Sequence, residues 1–275
     1  MMRNRLLLAL TISLSVAWTL AVRAQTHPNL EKGFAADKMY QFGDIDHVNV
    51  FNGNLSLTIP IGGSTPVSDR LSLSLTLVYN TKLWSAISKE YNVGGQTGRA
   101  LYYTPERRSN AGFGWTLSLG RLIDPLETDI NNGATRFGYM SSDGSDRLFY
   151  DTLHVSAPAE PSVAGVDYSR DNTYLRLSTG GAGKIIESPD GTRREFESYT
   201  DTIPNTTCGS ATCPPYTRWR LTKISDRFDN HIDIDYSTAG QWTITDSSST
   251  GADRRKTVVH FSAHADADAE YLQQV

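Results

Sequence analysis

Two cysteines, a pair of spaced histidines and a short acidic run are the residues whose types and spacing bear most directly on chemistry. Cys208 and Cys213 lie in Cys-Gly-Ser-Ala-Thr-Cys-Pro-Pro. A zinc site would need two further ligands at a sensible spacing, and none lies nearby. In an oxidising compartment the pair reads as a local disulfide beside Pro214 and Pro215, the alternative being two free thiols. His260 and His264 are four positions apart, a ligand spacing that works on a helix. The alternation from Val258 to Phe261 is that of a strand, so the pair does not converge. Asp266, Asp268 and Glu270 alternate with Ala. They carry oxygen ligands suited to a weak calcium site, but a solvated acidic tail is the plainer reading.

Catalytic signatures are absent from the sequence. It contains no Gly-x-Ser-x-Gly elbow and no His-Glu-x-x-His helix. Gly180-Gly181-Ala182-Gly183-Lys184 resembles a phosphate loop only in composition. It has no Ser or Thr after the Lys and leads into a strand, so a turn is expected there. The chain has 30 acidic residues, but no spacing selects two of them as a glycosidase pair. No catalytic, cofactor-binding or metal-binding residue is assigned, and the expectation is a protein that is not an enzyme.

The aromatic residues between 81 and 110 bear on binding instead. Trp84, Tyr91, Tyr102 and Tyr103 fall in a stretch rich in Gly, Tyr and Arg with no evident period. Exposed rings there would stack on sugars or on a partner chain. Packed down, they would cap a sheet edge. Trp115, Trp219 and Trp242 open alternating segments and read as core.

The elements that must position these residues are strands. Leu71, Leu73, Leu75, Leu77 and Tyr79 alternate with Ser72, Ser74, Thr76 and Val78. A period of two belongs to a strand with one buried face. Trp115, Leu117 and Leu119 share a face in the same way, so the two segments read as core strands joined by a long surface excursion over 81–110. Val48–Val50 and Leu55–Ile61 flank Asn52-Gly53, a strong hairpin signal. Beyond Gly120 short strands recur about Asp143-Gly144, Asp190-Gly191 and Asp226–Asn230. The separations are irregular, unlike a propeller or solenoid. The fold class expected is all-β, with antiparallel sheets built from successive hairpins.

The ends and the charge set the context. Arg3 and Arg5 precede an apolar run from Leu6 to Leu20, and Ala21-Val22-Arg23-Ala24 follows. That order reads as a signal peptide over 1–24 with Gln25 as the mature start, the alternative being an uncleaved anchor. The expected location is outside the cell or in its envelope, with no span after cleavage. The formal charge of −4 argues against nucleic acid as a partner. A leader is expected over 25–47, a β domain over 48–135, hairpin units over 136–262 and an acidic tail over 263–275.

These motifs together resemble the N-terminal region of bacterial RHS/YD-repeat proteins. The resemblance rests on Val48-Asn49-Val50-Phe51-Asn52-Gly53-Asn54-Leu55, Tyr79-Asn80, Gly112-Phe113-Gly114-Trp115 and the Asp-Gly units with aromatic exits at Tyr150 and Phe196. Trp219 to Tyr236 is similar to a single YD-type repeat, with Asp229 where that family usually has Gly. It covers roughly 48–261. It implies a structural role as the opening segment of a hollow β shell, with downstream repeats or another chain of the assembly as partner. A carbohydrate-binding or adhesive β domain is the alternative, with a glycan as ligand. The hairpins over 137–261 are expected to lie side by side without closing, and the strand at 257–262 to be left as an open edge.

Overall fold

The computed structural model describes residues 40–42, 45–50, 53–93, 95–105, 109–125, 136–154, 163–181, 183–201, 216–248, 255–263 and 270–274. They form antiparallel sheets, and the all-β expectation holds. Among the described residues no helix is long and apolar enough to cross a membrane. Residues 1–24 and both cysteines lie outside the described residues.

A five-stranded sheet comes first. It contains β1 (Tyr40–Phe42), β2 (Asp46–Asn49), β3 (Leu55–Pro66), β4 (Ser72–Asn80) and β7 (Trp115–Ser118) in the order β1-β2-β3-β4-β7. The Asn52-Gly53 signal is met, for Gly53 has φ 65° and its N–H donates to the Asn49 carbonyl at 2.8 Å. On β4 the odd face is buried at Leu73 and Leu75, continuing from buried Leu71. Val78 is buried on the even face, which the polar residues Ser72 and Ser74 leave open earlier in the strand.

The stretch 81–110 is not a structureless excursion. It contains β5 (Trp84–Val93) and β6 (Gln96–Pro105), paired antiparallel from Trp84↔Pro105 to Val93↔Gln96. The segment shows no alternation because an isolated two-stranded ribbon need not bury one face consistently.

The second assembly corrects the expectation of an open wall. Strands β8 (Arg121–Ile123), β9 (Gly138–Met140), β10 (Asp146–Tyr150), β11 (Val166–Ser169), β12 (Arg176–Gly180), β13 (Gly183–Glu187), β14 (Arg193–Asp201) and β15 (Tyr216–Ser225) pair in sequence. The last then pairs back onto the first, Trp219↔Leu122 and Arg220↔Arg121, so eight strands close into a barrel. Cross-strand partners share a face, so the register places Leu122, Tyr139, Phe149, Leu177, Ile186, Phe196 and Leu221 inside. All are at most 3% exposed, so side chains fill the interior. No local hairpin pattern reveals a pairing between residues nearly a hundred positions apart.

One strand belongs to two structures. Along one edge β15 pairs with β14 throughout. Along the other, its first half meets β8 at Trp219 and Arg220, and its second half meets β16 (His231–Asp235) at Lys223, Ile224 and Ser225. A hairpin sheet continues from there through β17 (Gln241–Asp246), β18 (Lys256–Ala263) and β19 (Glu270–Gln274). Residues 257–262 are therefore not the edge. β19 covers β18, in a stretch expected to be only a solvated tail.

Ile232, Ile234, Ile244, Val259 and Phe261 of the hairpin sheet join Leu71, Leu73, Leu75, Leu117 and the barrel residues in one apolar cluster. At about 25 cal/mol per Å² of apolar surface removed from water, that shared burial is the main force joining the sheets. Trp219 and Trp242 are half-buried at its margin, and Trp115 is half-buried against Tyr79 with ring centroids 4.9 Å apart. Trp219 and Trp242, expected in the core, thus line its boundary, and Trp115 is half-buried instead of core.

Candidate functional site

Three turns in the barrel and hairpin sheet share one construction. In Ser141–Ser145, Ser188–Thr192 and Asp226–Asn230, the first N–H donates to the fifth carbonyl and the fourth N–H to the first carbonyl. The fourth residue has φ 80° in Gly144, 87° in Gly191 and 65° in Asp229. That is a type I turn closed by a left-handed bulge residue, which normally takes Gly. In the first two turns an arginine six positions on reaches back. Arg147 donates to Ser141 Oγ and Arg194 to Ser188 Oγ, each at 3.0 Å.

These arginines face the barrel interior, where polar groups gather about Tyr139. Arg147 Nε lies 2.9 Å from Asp171 Oδ2, and both side chains are nearly buried. Burial raises the Tyr139 hydroxyl pKa, while Arg194 and Arg147 act to lower it. Burial also pushes Asp143 upward, but hydrogen bonds from Ser141 and Ser145 and the charge of Arg147 outweigh it and hold the carboxyl below its ordinary range. Asp167, on the inner face opposite Leu177, is raised by burial. Arg147 is committed to Asp171 and Ser141, leaving this network the character of a structural core. Among the described residues no group of three His, Cys, Asp or Glu is placed to hold a metal ion.

The surface feature of most interest lies at the base of the β5–β6 hairpin. Trp84 is 55% exposed and Phe113 is 48% exposed. Their rings meet edge to face with centroids 6.5 Å apart. The backbone beneath them is fixed. Gly114 has φ 81°, its N–H donates to Ser109 Oγ at 3.0 Å, and its carbonyl accepts from the Asn80 N–H at 3.0 Å. A Cβ there would lie 2.4 Å from Leu83 Cδ2 and 2.7 Å from Tyr79 Cε2. Only glycine lets the loop pass under residues 79–83 and present Phe113 beside Trp84.

The predicted contact residues divide. Trp84 is on the surface as expected. Tyr91 lies on β5 and Tyr102 and Tyr103 on β6. The register puts positions 84 and 103 on one face of the ribbon and positions 91 and 102 on the other. Phe113, absent from the predicted contacts, is the partner of Trp84. Its signal was an aromatic residue held between Gly112 and Gly114, a composition that suits a turn exposing its side chain.

Of the other candidate groups only some fall among the described residues. His260 is exposed on β18, and His264 lies outside the described residues. Asp266 and Asp268 also lie outside them, while Glu270 opens β19. The glycine-rich segment is the β12–β13 turn, with Gly181 at φ 55° and Gly180 paired to Gly183. A Cβ on Gly183 would lie 1.8 Å from the Phe196 carbonyl oxygen, so close backbone approach accounts for that glycine. No protein-family model matches the chain, and no curated protein matches it.

Proposed function

We propose that the protein is an exported structural β module, built to be extended by further strands and having no catalysis of its own. The observation that carries this reading is the growth of the hairpin sheet from the free half of β15. There β16 to β19 are laid down one antiparallel strand at a time. The resemblance to the opening of an RHS/YD-repeat shell implies the same logic, with downstream repeats or another chain of the assembly supplying the next strand. Among the described strands β19 pairs with β18 alone, and an open edge is a template for a further strand. Export follows from the order of residues in 1–24, and in that compartment Cys208 and Cys213 are joined. Hydrogen exchange on material recovered from the producing cell's envelope tests the reading. The amides of Glu270–Gln274 are then protected more strongly than in the isolated chain of residues 25–275. Equal protection in both samples would overturn it.

A second reading has its own observation. Trp84 and Phe113 present two exposed rings in edge-to-face contact over the bonded Gly114 backbone, an aromatic ledge of the kind a carbohydrate-binding or adhesive domain uses. A glycan array probed with the wild type and Trp84→Ala decides it. Binding lost in the variant supports this reading, and no binding by the wild type removes it.

A further inference from the structure

The outer edge of β7 is closed by the chain's own loop. The Asn80 N–H donates to the Gly114 carbonyl, and the β4–β7 register runs Tyr79↔Trp115, Val78↔Thr116, Leu77↔Leu117. In an antiparallel pair the bonded positions alternate, so Trp115 and Leu117 turn their backbone groups away from β4. Each of those four groups has a partner. The Trp115 N–H donates to the Gly112 carbonyl at 2.8 Å. The Trp115 carbonyl accepts from the N–H groups of Asn110 at 3.1 Å and Ala111 at 3.2 Å. The Leu117 N–H donates to Asn110 Oδ1 at 2.7 Å, and Asn110 Nδ2 donates to the Leu117 carbonyl at 3.1 Å.

The Asn110 amide has the donor and acceptor of a peptide group and stands where a sixth strand would put one. Plain loop anchoring would need one such bond. Here the side chain supplies the matched pair that a neighbouring strand supplies. We infer that Asn110 is an edge guard, an intramolecular strand mimic that denies β7 to pairing with a second copy of this chain. A second copy is the occupant because β7 is complementary to itself. Related by a two-fold axis, two such strands run antiparallel, and each Leu117 exchanges both of its outward backbone bonds with the Leu117 of the other copy, while the Trp115 groups stay bonded to residues 110–112 of their own chain. This inference is independent of the proposed extension at β19.

The test removes the amide from the full chain. Sedimentation of wild type and Asn110→Ala is followed over a concentration series, with amide exchange at Leu117 measured alongside. Asn110→Ala is expected to form dimers as concentration rises. Its Leu117 amide should exchange quickly when dilute and slow by about tenfold or more on association. Association through β19 would leave the Leu117 amide unchanged, so the two edges are distinguishable. If Asn110→Ala does not fold, Asn110→Asp keeps the acceptor for the Leu117 N–H and removes the donor to its carbonyl. It should then associate more strongly than the wild type. A folded variant with an unprotected Leu117 amide and unchanged sedimentation at every concentration would show a loop staple and overturn the inference.

Discussion

Ser68 Oγ donates to Asp226 Oδ2 at 2.9 Å, joining residues 158 positions apart. Ser68 lies in the turn between β3 and β4, and Asp226 begins the turn between β15 and β16. The same carboxylate accepts from the N–H groups of Phe228 and Asn230 and from the Asn230 side chain. A second clasp lies close in sequence to the first. Arg255 Nε meets Asp246 Oδ2 at 2.6 Å, and Arg255 Nη2 donates to the Pro66 carbonyl at 2.7 Å. The five-stranded sheet is thus gripped near its β3–β4 turn by two turns of the hairpin sheet.

This arrangement predicts an acid-sensitive stability. Burial acts to raise Asp226 and Asp246, but hydrogen bonds outweigh it, from Asn230 and Ser68 in the first case and from Ser248 and Arg255 in the second. Asp143 is lowered likewise by Ser141 and Ser145. A carboxyl depressed in the folded state stabilises it fully above the ordinary value of 3.8, and that contribution is lost as pH falls through the lower folded values. Urea melts should therefore lose stability below about pH 4. Asp226→Asn with Asp246→Asn should lower neutral stability and flatten this acid limb. An unchanged limb would show that other carboxylates set it.

The support beneath the aromatic ledge should be intolerant. Gly114→Ala adds a left-handed penalty of roughly 1–2 kcal/mol and a steric cost of roughly 1–3 kcal/mol against Leu83 and Tyr79. Gly62→Ala, at φ 69° with open space around it, should show the first cost alone. Denaturant midpoints of the two variants check the difference, and equal losses would contradict it.

The core boundary predicts an ordering. Leu117 is 1% exposed, so Leu117→Ala should cost roughly 2–5 kcal/mol. Half-buried Trp115→Ala should cost less than a fully buried aromatic would, and 55% exposed Trp84→Ala under about 1 kcal/mol. Equilibrium urea unfolding of the three variants gives the ranking, and a Trp84→Ala loss equal to that of Leu117→Ala would reject it.

Much of this fold was legible because its signals are local. Alternation from Leu71 to Tyr79, Gly53 in its turn and the Asp-Gly hairpins each follow from a few adjacent residues. Barrel closure was not legible, because Trp219 and Leu122 are far apart in sequence and no local pattern marks their pairing. The β5–β6 ribbon was missed because its sequence carries no regular alternation of apolar and polar residues. Trp84 was found as an exposed aromatic, but Phe113 was not, since their meeting depends on Gly114 lying beneath Leu83. Asn110 gave no signal at all, because an asparagine in a loop reads the same whether or not it closes a strand edge.

β15 is shared by the barrel and the hairpin sheet and makes them one structural unit. Native-state hydrogen exchange over a denaturant series measures this directly, comparing amides in β10 and β12 of the barrel with those in β16 and β17. Opening free energies that merge to one value, shared by Leu221 and Ile224 on β15, are the predicted result. Hairpin-sheet amides that open through a separate, lower-energy event while the barrel stays closed would contradict it.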